Sequence, residues 1–232
     1  MKDLKYRYEW KYLCNIRQIE EIKNRLKYIV PLDKHTENGQ YCIRSMYFDN
    51  LDNRCYYENE NGIDPREKFR IRIYNAKSDR IVLECKRKER GKTYKSSCLL
   101  KEDEYRAILD GGSVDNIGEK HPLFRKFYVL QKSQLFKPVV IVEYDRTPYV
   151  YRVGNVRITL DMNIRSSNEV AHFFDENIST RPVLQSGQHL LEVKYDELLP
   201  DFIKDILQID GLQRSAFSKY YLCRKFSMEG LL

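Results

Sequence analysis

The sequence predicts an α+β fold in which antiparallel strands with two unlike faces are flanked by helices. Its 18 tyrosines and many β-branched residues favour strands. The clearest strand, Arg66–Tyr74, alternates strictly. Lys68, Arg70 and Arg72 lie on one face, and Phe69, Ile71 and Ile73 lie on the other. A single strand of this kind ordinarily turns its charged face to water. Here similar strands recur, and their like charges would repel unless a polyanion lay among them.

Composition predicts one domain with an anionic partner. The chain of 232 residues is 42% hydrophobic, so it can bury a sizeable core. Its net charge of +7 suits nucleic acid, phosphorylated metabolites or a membrane surface. The six cysteines show no C-x-x-C spacing, which indicates mostly buried free thiols in a reducing compartment. Because there is no apolar leader and no run of roughly 20 apolar residues, the chain is expected to be soluble and cytoplasmic.

Strand and helix patterns alternate through the first third of the chain. Tyr6–Leu13 alternates charged with aromatic residues and is the first predicted strand. Apolar residues at helical spacing predict a helix over residues 15–28, with Asn15 as its N-cap. Tyr41–Phe48, which carries Arg44, is the second strand, and a polar segment leads from it to the central strand.

A hairpin and two helices are predicted next. Asn75–Arg80 has the composition of a turn, and Ile81–Lys88 then begins a strand. That strand places Glu84, Lys86 and Lys88 on one face. After a turn at Gly91, Thr93–Leu100 is expected to pair with it and carries Lys95. Helices are predicted at Glu102–Leu109 and Leu123–Leu135.

The last third of the chain contains three predicted strands and two predicted helices. In Val139–Val150, regular alternation puts Arg146 and Glu143 on opposite faces unless a bulge intervenes. Val156–Asp161 places Arg157 with Thr159 and Asp161, and His189–Asp196 places Glu192 with Lys194. The helices are Pro200–Leu207 and Ala216–Phe226, and Ser218 and Lys219 lie at the start of the second.

The charged faces of these strands together suit a site for phosphate groups. Their cations are Lys11, Arg70, Arg72, Lys86, Lys88, Lys95, Arg157 and Lys194, with Arg146 possible, and their carboxylates are Glu9, Glu84 and Glu192. Antiparallel strands closed into a barrel can enclose a polar lumen, in which such cations would bind phosphoryl oxygens. The carboxylates are hard oxygen donors that suit Mg²⁺ or Mn²⁺, which bridge phosphates.

Other kinds of site have weaker support. The sequence contains neither a G-x-x-x-x-G-K-[ST] loop nor a G-x-G-x-x-G turn. Its four histidines are dispersed, and no Ser/His/Asp motif is present. Nucleic-acid binding competes, because basic strands with aromatic residues also suit single strands. That function would need aromatic side chains beside the cations, whereas Tyr8, Trp10 and Phe69 fall on the opposite faces.

Eight short motifs follow one another along nearly the whole chain. They are Arg7-Tyr8-Glu9-Trp10-Lys11, Ser45-Met46-Tyr47-Phe48-Asp49, Lys68-Phe69-Arg70-Ile71-Arg72, Leu83-Glu84-Cys85-Lys86, Tyr144-Asp145-Arg146-Thr147, Arg157-Ile158-Thr159-Leu160-Asp161, Leu191-Glu192-Val193-Lys194 and Ser218-Lys219-Tyr220. Together they resemble the VTC domain, the polyphosphate polymerase domain of the triphosphate tunnel metalloenzyme superfamily. Families of this superfamily that hydrolyse triphosphates or make cyclic AMP begin with E-x-E-x-K, whereas Arg7 replaces the first acid here, as is usual in the VTC branch.

The resemblance implies a single tunnel domain over residues 1–232, an antiparallel barrel of about eight strands. It implies catalytic roles for Lys11, Arg70, Arg72, Lys86, Arg146, Arg157 and Lys219, and phosphate binding by Lys95. The sequence adds Lys88, Lys194, Arg44 and Ser218 as further phosphate-binding candidates. Glu192 would be the principal ligand of Mn²⁺ or Mg²⁺, with Glu84 and Glu9 next. Lys92 is a near neighbour of Lys95, and the sequence leaves open which of the two faces the tunnel.

The activity implied is metal-dependent transfer of the γ-phosphoryl group of ATP, or of another nucleoside triphosphate, to a growing inorganic polyphosphate chain. No nucleic acid takes part. The attacking phosphate oxygen is already ionised, so the protein would contribute alignment and charge neutralisation. Two alternatives stay open: a module that holds polyphosphate or triphosphate without turnover, and a triphosphate hydrolase of the same superfamily. The resemblance also leaves open the oligomeric state and whether a membrane-protein partner receives the product.

Overall fold

An antiparallel sheet curls around the centre of the computed structural model, which describes residues 6–36 and 38–229. In this part of the chain there are nine strands, which are in order β1 (Tyr8–Asn15), β2 (Tyr41–Asp49), β3 (Arg66–Tyr74), β4 (Lys77–Glu89), β5 (Lys92–Leu100), β6 (Lys137–Tyr151), β7 (Val156–Ser167), β8 (Arg181–Pro182) and β9 (Gln188–Tyr195). Eight of them neighbour one another in the order β1-β9-β7-β6-β2-β3-β4-β5, and the two-residue β8 pairs with β7.

The two edge strands of this sheet approach each other. Arg7, directly before β1, and Thr93 of β5 exchange backbone hydrogen bonds of 2.9 and 3.0 Å. Within the described residues this is the one bridge that joins the two edges, so the barrel is nearly closed and open along part of the seam. The fold class predicted from the sequence, α+β with about eight curled antiparallel strands and flanking helices, is confirmed.

Six α-helices lie outside or across the sheet within the described chain, which also has three short 3-10 helices. The α-helices are α1 (Ile16–Leu26), α2 (Arg54–Glu60), α3 (Glu102–Asp110), α4 (Pro122–Gln134), α5 (Asp201–Ile206) and α6 (Lys219–Glu229). The predicted N-cap of α1 is confirmed, because the Asn15 side chain accepts a hydrogen bond from the backbone N–H of Gln18 at 2.9 Å. Over residues 6–36 and 38–229, no helix has both the length and the apolar character needed to span a membrane.

Helix α2 occupies the segment that the sequence predicts to be a polar connection, so that prediction is wrong. Its N-cap residue, Asn53, has a left-handed backbone, and its side chain makes no capping bond. Instead, the Asp49 carboxylate at the end of β2 accepts from the backbone N–H groups of Cys55 at 2.8 Å and Tyr56 at 3.1 Å. The Asn50 side-chain oxygen also accepts from the backbone N–H of Arg54 at 2.9 Å. The helix start is therefore fixed by side chains at and directly after the end of β2 rather than by its N-cap residue.

The β3–β4 hairpin and β7 differ from their predicted bounds. Asn75 and Ala76 both have positive φ, 50° and 54°, and form a two-residue turn. Strand β4 therefore begins at Lys77, and the predicted turn over residues 75–80 is too long. Strand β7 continues to Ser167, beyond the predicted end at Asp161, because its second half pairs with β6 and β8.

The apolar faces of the strands pack outward against the helices in two hydrophobic clusters. In the first, the ring of Phe69 in β3 lies 5.3 Å from the ring of Phe127 in α4. In the second, Ile19 of α1 packs with Leu191 and Val193 of β9. Because burial of apolar area is the main favourable term in folding, these contacts fix which face of each strand turns outward. The charged faces are thereby turned to the inside of the barrel.

Candidate functional site

The inside of the barrel contains a cavity of about 430 Å³ lined mainly by charged side chains. Ten cations and three carboxylates line it: Lys11, Arg66, Lys68, Arg70, Arg72, Lys86, Lys88, Arg146, Lys194 and Lys219, with Glu9, Glu60 and Glu192. The register explains the convergence on β3 and β4, since Lys68 lies opposite Lys86 and Arg70 lies opposite Glu84. The alternating faces that the sequence shows for these strands therefore meet in one space.

Most of the predicted site residues come together here. The cavity is lined by Lys11, Arg70, Arg72, Lys86, Lys88, Arg146, Lys194, Ser218, Lys219, Glu9 and Glu192. Lys95 of β5 contacts Glu84 of β4 at 2.8 Å on the same inner face. The ammonium of Lys92 instead lies 4.8 Å from the centre of the Tyr8 ring. Of the two lysines that the sequence could not separate, Lys95 is therefore the one that faces the inside.

Arg157 lies on the inner face of β7, opposite Lys194 of β9, but its guanidinium turns to other partners. It donates to the Asp33 carboxylate at 2.8 Å and to the Tyr41 hydroxyl at 3.1 Å. Asp33 belongs to the segment between α1 and β2, which is tied to β6 by a bond from the Asp33 N–H to the Pro148 carbonyl. Arg157 is therefore beside the cavity rather than among its lining residues.

Arg44 lies on the opposite side of the sheet, and its predicted phosphate-binding role is corrected. Alternation along β2 turns Tyr47 into the cavity and sends Arg44 outward. The Arg44 side chain is only 2% exposed and is paired with Glu143. Its Nη1 also donates to the carbonyl oxygens of Phe173 at 2.9 Å and Asp175 at 2.6 Å. These buried bonds give Arg44 a structural role outside the barrel.

Deep in the cavity, cations and carboxylates form a paired group, here called the inner cluster: Arg146, Asp161, Glu192, Lys194 and Lys219. The Lys219 ammonium lies 2.6 Å from Asp161 and 2.8 Å from Glu192. Arg146 donates to both oxygens of Asp161, at 2.6 and 2.7 Å. Lys194 donates to Glu192 at 2.7 Å. Buried charges are tolerated only when they are paired in this way, so each member fixes the position of the others.

The inner cluster holds its members in their charged forms. Burial would raise the pKa of Glu192, but Lys194, Lys219 and Lys11 hold it well below its ordinary value. Burial likewise opposes ionisation of Asp161, and Arg146 and Lys219 lower its pKa. For Lys219, burial would lower the pKa, but Asp161 and Glu192 raise it above the usual value. At neutral pH the cluster therefore contains ionised carboxylates and a protonated lysine.

The carboxylate of Glu84 in β4 pairs with the two arginines of β3, Arg70 and Arg72. This carboxylate, which is buried, lies 2.7 Å from Arg70 and 3.6 Å from Arg72. Burial would raise the pKa of Glu84, but Arg72 and Arg70 hold it well below its ordinary value. The Arg72 guanidinium also donates to the Ser45 hydroxyl at 3.1 Å and the Tyr144 hydroxyl at 3.3 Å. The fork of Arg72 is thus held in one orientation before any ligand binds.

Arg66, Lys68 and Lys88, here called the mouth cations, have no carboxylate at salt-bridge distance among the described residues. Lys68 contacts the amide oxygen of Asn59 at 2.6 Å and the Ser218 hydroxyl at 3.1 Å. Lys88 is exposed and Arg66 is half-buried, so this group marks the opening of the cavity. Burial, with the charges of Arg66 and Lys86, pushes the pKa of Lys68 well below its ordinary value.

Several residues of the site have no role in the sequence prediction. Alternation along β7 puts Asp161 on the face of Arg157, and the same alternation shows that Asp161 points inward. Lys68 lies on the predicted cationic face of β3. Asn59 and Glu60 lie on α2, so they could not be found without that helix.

Glu9 and Glu192 are the side chains that could hold a divalent cation. Both line the cavity, and the charge of Glu192 raises the pKa of Glu9, which shows that their charges interact. Among the residues described, no three His, Cys, Asp or Glu side chains form a metal cluster of their own. Mg²⁺ and Mn²⁺ commonly take one or two carboxylates and complete their coordination with phosphate oxygens and water. The donor set therefore fits a cation that arrives with phosphate.

Comparison with solved structures finds the same fold at low sequence identity. A proposed adenylyl cyclase from Hippeastrum, whose structure reveals a dominant triphosphatase activity, has a TM-score of 0.55 at 13% identity over 96% of each chain. A proposed adenylate cyclase from Bacillus halodurans has a TM-score of 0.54 at 13% identity, covering 92% of this chain and 94% of that one. At these identities the likeness shows the fold alone. A search of curated proteins finds no match.

A family model describes nearly the whole chain. The VTC domain model matches residues 6–228. The matched range begins directly before β1 and ends in the last turn of α6, so it contains all the strands and helices that supply the cavity lining. The chain therefore belongs to the VTC domain family.

Proposed function

We propose that this protein is a metal-dependent polyphosphate polymerase that transfers the γ-phosphoryl group of ATP to the end of an inorganic polyphosphate chain. The observation that carries the proposal is the excess of cations in the cavity. Ten cations line it against three carboxylates, and with Glu84 and Asp161, which bind lining cations, the carboxylates number five. A triphosphate bound with a divalent cation neutralises only part of this charge, whereas a chain of further phosphates can neutralise the rest.

In this proposal the arginines align the phosphoryl group that is transferred. Arg72 is oriented by Ser45 and Tyr144, and Arg146 is oriented by Asp161. A guanidinium fork fixed in this way binds two phosphoryl oxygens in one geometry and needs little rearrangement during the reaction. Because the terminal oxygen of the acceptor chain is already ionised, no side chain has to remove a proton from it.

Lysines and carboxylates share the charge of the reaction. Lys219 stays protonated between Asp161 and Glu192, so it adds a fixed positive charge near the arginines. Glu192 and Glu9 would hold Mn²⁺ or Mg²⁺ together with phosphate oxygens, and the cation would neutralise charge that moves between donor and acceptor. Lys11 would be positioned for phosphate by its 2.6 Å bond to the Phe217 carbonyl.

A second candidate is hydrolysis of a triphosphate, which the dominant triphosphatase activity of the Hippeastrum protein favours. The position of Arg7 argues against it. Superfamily members that hydrolyse triphosphates have an acidic residue at this position, the first of the E-x-E-x-K pattern. In this chain the position is occupied by Arg7, which binds Asp196 at 2.9 Å and the Asn155 carbonyl. This pairing places no carboxylate from position 7 in the cavity.

The test is a product assay on purified protein with ATP and Mn²⁺ or Mg²⁺. The expected products are long phosphate chains, resolved by size, and ADP in the amount of phosphate incorporated. Release of one orthophosphate per ADP without polymer would identify the hydrolase. If ATP and polyphosphate bind but neither product forms with any divalent metal, the protein is a module that holds phosphate without turnover.

A further inference from the structure

The opening of the cavity combines an aromatic ring, an amide and a carboxylate with the mouth cations. Tyr221 of α6 and Asn59 and Glu60 of α2 all line the cavity beside Arg66 and Lys68. The amide oxygen of Asn59 is occupied by Lys68. Glu60 is different, because in residues 6–36 and 38–229 no cation pairs with it. The Tyr221 hydroxyl donates to Glu60 at 3.1 Å, so ring and carboxylate are held together.

A carboxylate at this place does not suit phosphate, because both are anions. Glu60 is also exposed, so it costs little as an unpaired charge and leaves acceptor oxygens free. Acceptor-only oxygens suit neutral hydroxyl donors. The vicinal hydroxyls of a ribose are donors of this kind, and acidic side chains bind them in dinucleotide sites of another fold.

The Tyr221 ring is held in a fixed plane. It stacks on Tyr56 of α2 with ring centres 5.0 Å apart and planes 19° apart. Tyr56 is buried, and its backbone N–H is bound by Asp49 at 3.1 Å. A preorganised aromatic ring beside a cationic groove is the arrangement on which nucleic-acid bases stack. Helices α2 and α6 therefore present a ring and an acceptor at the one end of the cavity where the cations lack carboxylates.

The order of these groups matches the order of groups in a nucleoside triphosphate. The ring and Glu60 are at the opening, Lys68 is next, and the buried Arg72 and Arg146 lie deeper. We propose that α2 and α6 form a nucleoside subsite, in which Tyr221 stacks on the base and Glu60 accepts from the ribose hydroxyls. The inference rests on the proposed function, and it adds that the donor is selected as a ribonucleoside triphosphate rather than as any short phosphate chain.

The test compares two ligands that share their phosphates. Equilibrium binding is measured for the β,γ-imido analogue of ATP and for inorganic tripolyphosphate. Tyr221→Ala is expected to lower the affinity for the ATP analogue by at least about fivefold and to keep the affinity for tripolyphosphate within about twofold of the parent value. Glu60→Gln is expected to weaken the ribonucleotide several-fold and to leave its 2′,3′-dideoxy form unchanged. Because Glu60 is exposed, this second variant does not depend on whether Tyr221→Ala folds normally.

Tyr28→Ala is the matched control, since Tyr28 is a tyrosine that is 87% exposed and is not part of the cavity lining. This variant is expected to keep the parent affinity for both ligands. Equal weakening of both ligands by Tyr221→Ala, or no change in either, would overturn the subsite while leaving phosphate binding intact. If the parent protein binds neither ligand, the proposed function fails and the subsite fails with it.

Discussion

In the inner cluster every cation contacts a carboxylate, whereas the mouth cations Arg66, Lys68 and Lys88 contact none among the residues described. The difference follows depth. Arg146 and Lys219 are buried, so their charges need partners, while Lys88 is exposed and can rely on water. Lys68 lies between these limits, and its lowered pKa reflects burial without a carboxylate.

Lysines and arginines therefore have two different roles in this cavity, depending on whether a carboxylate pairs with them. Paired cations keep one position in the ligand-free protein, which suits alignment of a reacting group. Unpaired cations repel one another until an anion arrives, which suits capture and release of a chain. We therefore expect changes in the inner cluster, and at Arg72 with its partner Glu84, to alter turnover, and changes at the mouth to alter affinity.

The largest effect is expected from Glu192→Gln, which removes one carboxylate from among Lys11, Lys194, Lys219 and Arg146. Without it these buried cations are left undercompensated, so the free energy of unfolding should fall by about 3–5 kcal/mol. Turnover should fall by at least about 100-fold, since the variant also loses a ligand for the divalent cation. Nucleotide binding should fall less. Denaturant unfolding and steady-state rates measure these changes.

Glu60→Gln is the control for stability in that experiment, because it neutralises a carboxylate that has no described cation partner. Its free energy of unfolding should stay within about 0.5 kcal/mol of the parent value. If Glu192→Gln keeps normal metal-dependent turnover, the metal site lies elsewhere, and Glu9 is the next candidate, because Glu84 does not line the cavity and is bound by Arg70 and Lys95.

Arg72→Lys is expected to separate rate from affinity. The change keeps the charge but removes the fork that Ser45 and Tyr144 orient. Polyphosphate affinity should stay within about tenfold of the parent, while turnover should fall by more than about tenfold. Arg87→Lys on β4 is the matched control, because Arg87 pairs with Glu89 at 3.0 Å and is not part of the cavity lining. Equal losses of rate and affinity in Arg72→Lys would favour a protein that only holds phosphate.

Lys68→Met is expected to stabilise the ligand-free protein, whereas Glu192→Gln is expected to destabilise it. It removes a charge that burial, Arg66 and Lys86 already disfavour, so the free energy of unfolding should rise by about 0.5–1 kcal/mol. Tripolyphosphate affinity should fall by about fivefold, with a shallower dependence on salt. Lys68→Arg keeps the charge and should keep both properties. A loss of stability in Lys68→Met would show that this lysine is not under repulsion.

The smallest expected effect is a change of affinity with pH. Burial, opposed by Glu9, lowers the pKa of Lys86 from 10.5 to about 8. Between pH 8 and 10.5 the Lys86 amine therefore binds its proton more weakly in the folded protein than in the unfolded chain. Because the unfolded state binds more protons in this pH range, the free energy of unfolding of the ligand-free protein should rise from pH 8 to pH 10.5. Phosphate needs the ammonium form, so tripolyphosphate affinity should fall several-fold between about pH 7 and 9. Tripolyphosphate affinity is measured across this pH range for the parent and for Lys86→Arg. If the variant shows the same fall in affinity, the fall belongs to another titrating group.

Alternation along single strands was enough to predict much of the sheet and of the cavity. It placed Lys68, Arg70 and Arg72 on one face of β3, and it placed Glu192 with Lys194 on one face of β9. It failed for Arg44, because the predicted strand Tyr41–Phe48 contains a single charged residue, which does not show which face is inside. Glu143, the buried partner of Arg44, lies 99 residues away in sequence.

Contacts from outside each local segment explain the other differences. The first N–H groups of helix α2 are bound by the side chains of Asn50 and Asp49, which precede the helix, so residues 53–60 alone do not show where it starts. The sequence therefore does not predict the side of the cavity opening that α2 forms. The turn of Arg157 toward Asp33 likewise depends on how the segment after α1 packs on β6. Local patterns give the faces of strands, and tertiary contacts decide which charged groups pair.

The most direct test is the maximal turnover rate at saturating ATP, measured for Arg72→Lys and Lys68→Met beside the parent protein. If Arg72 and the inner cluster align the phosphoryl group and the mouth cations only hold the chain, Lys68→Met should keep its maximal rate within about threefold, with a raised KM. Arg72→Lys should lose more than about tenfold of its maximal rate under the same conditions. Equal losses of maximal rate in the two variants, or no turnover in the parent with any divalent metal, would contradict this division.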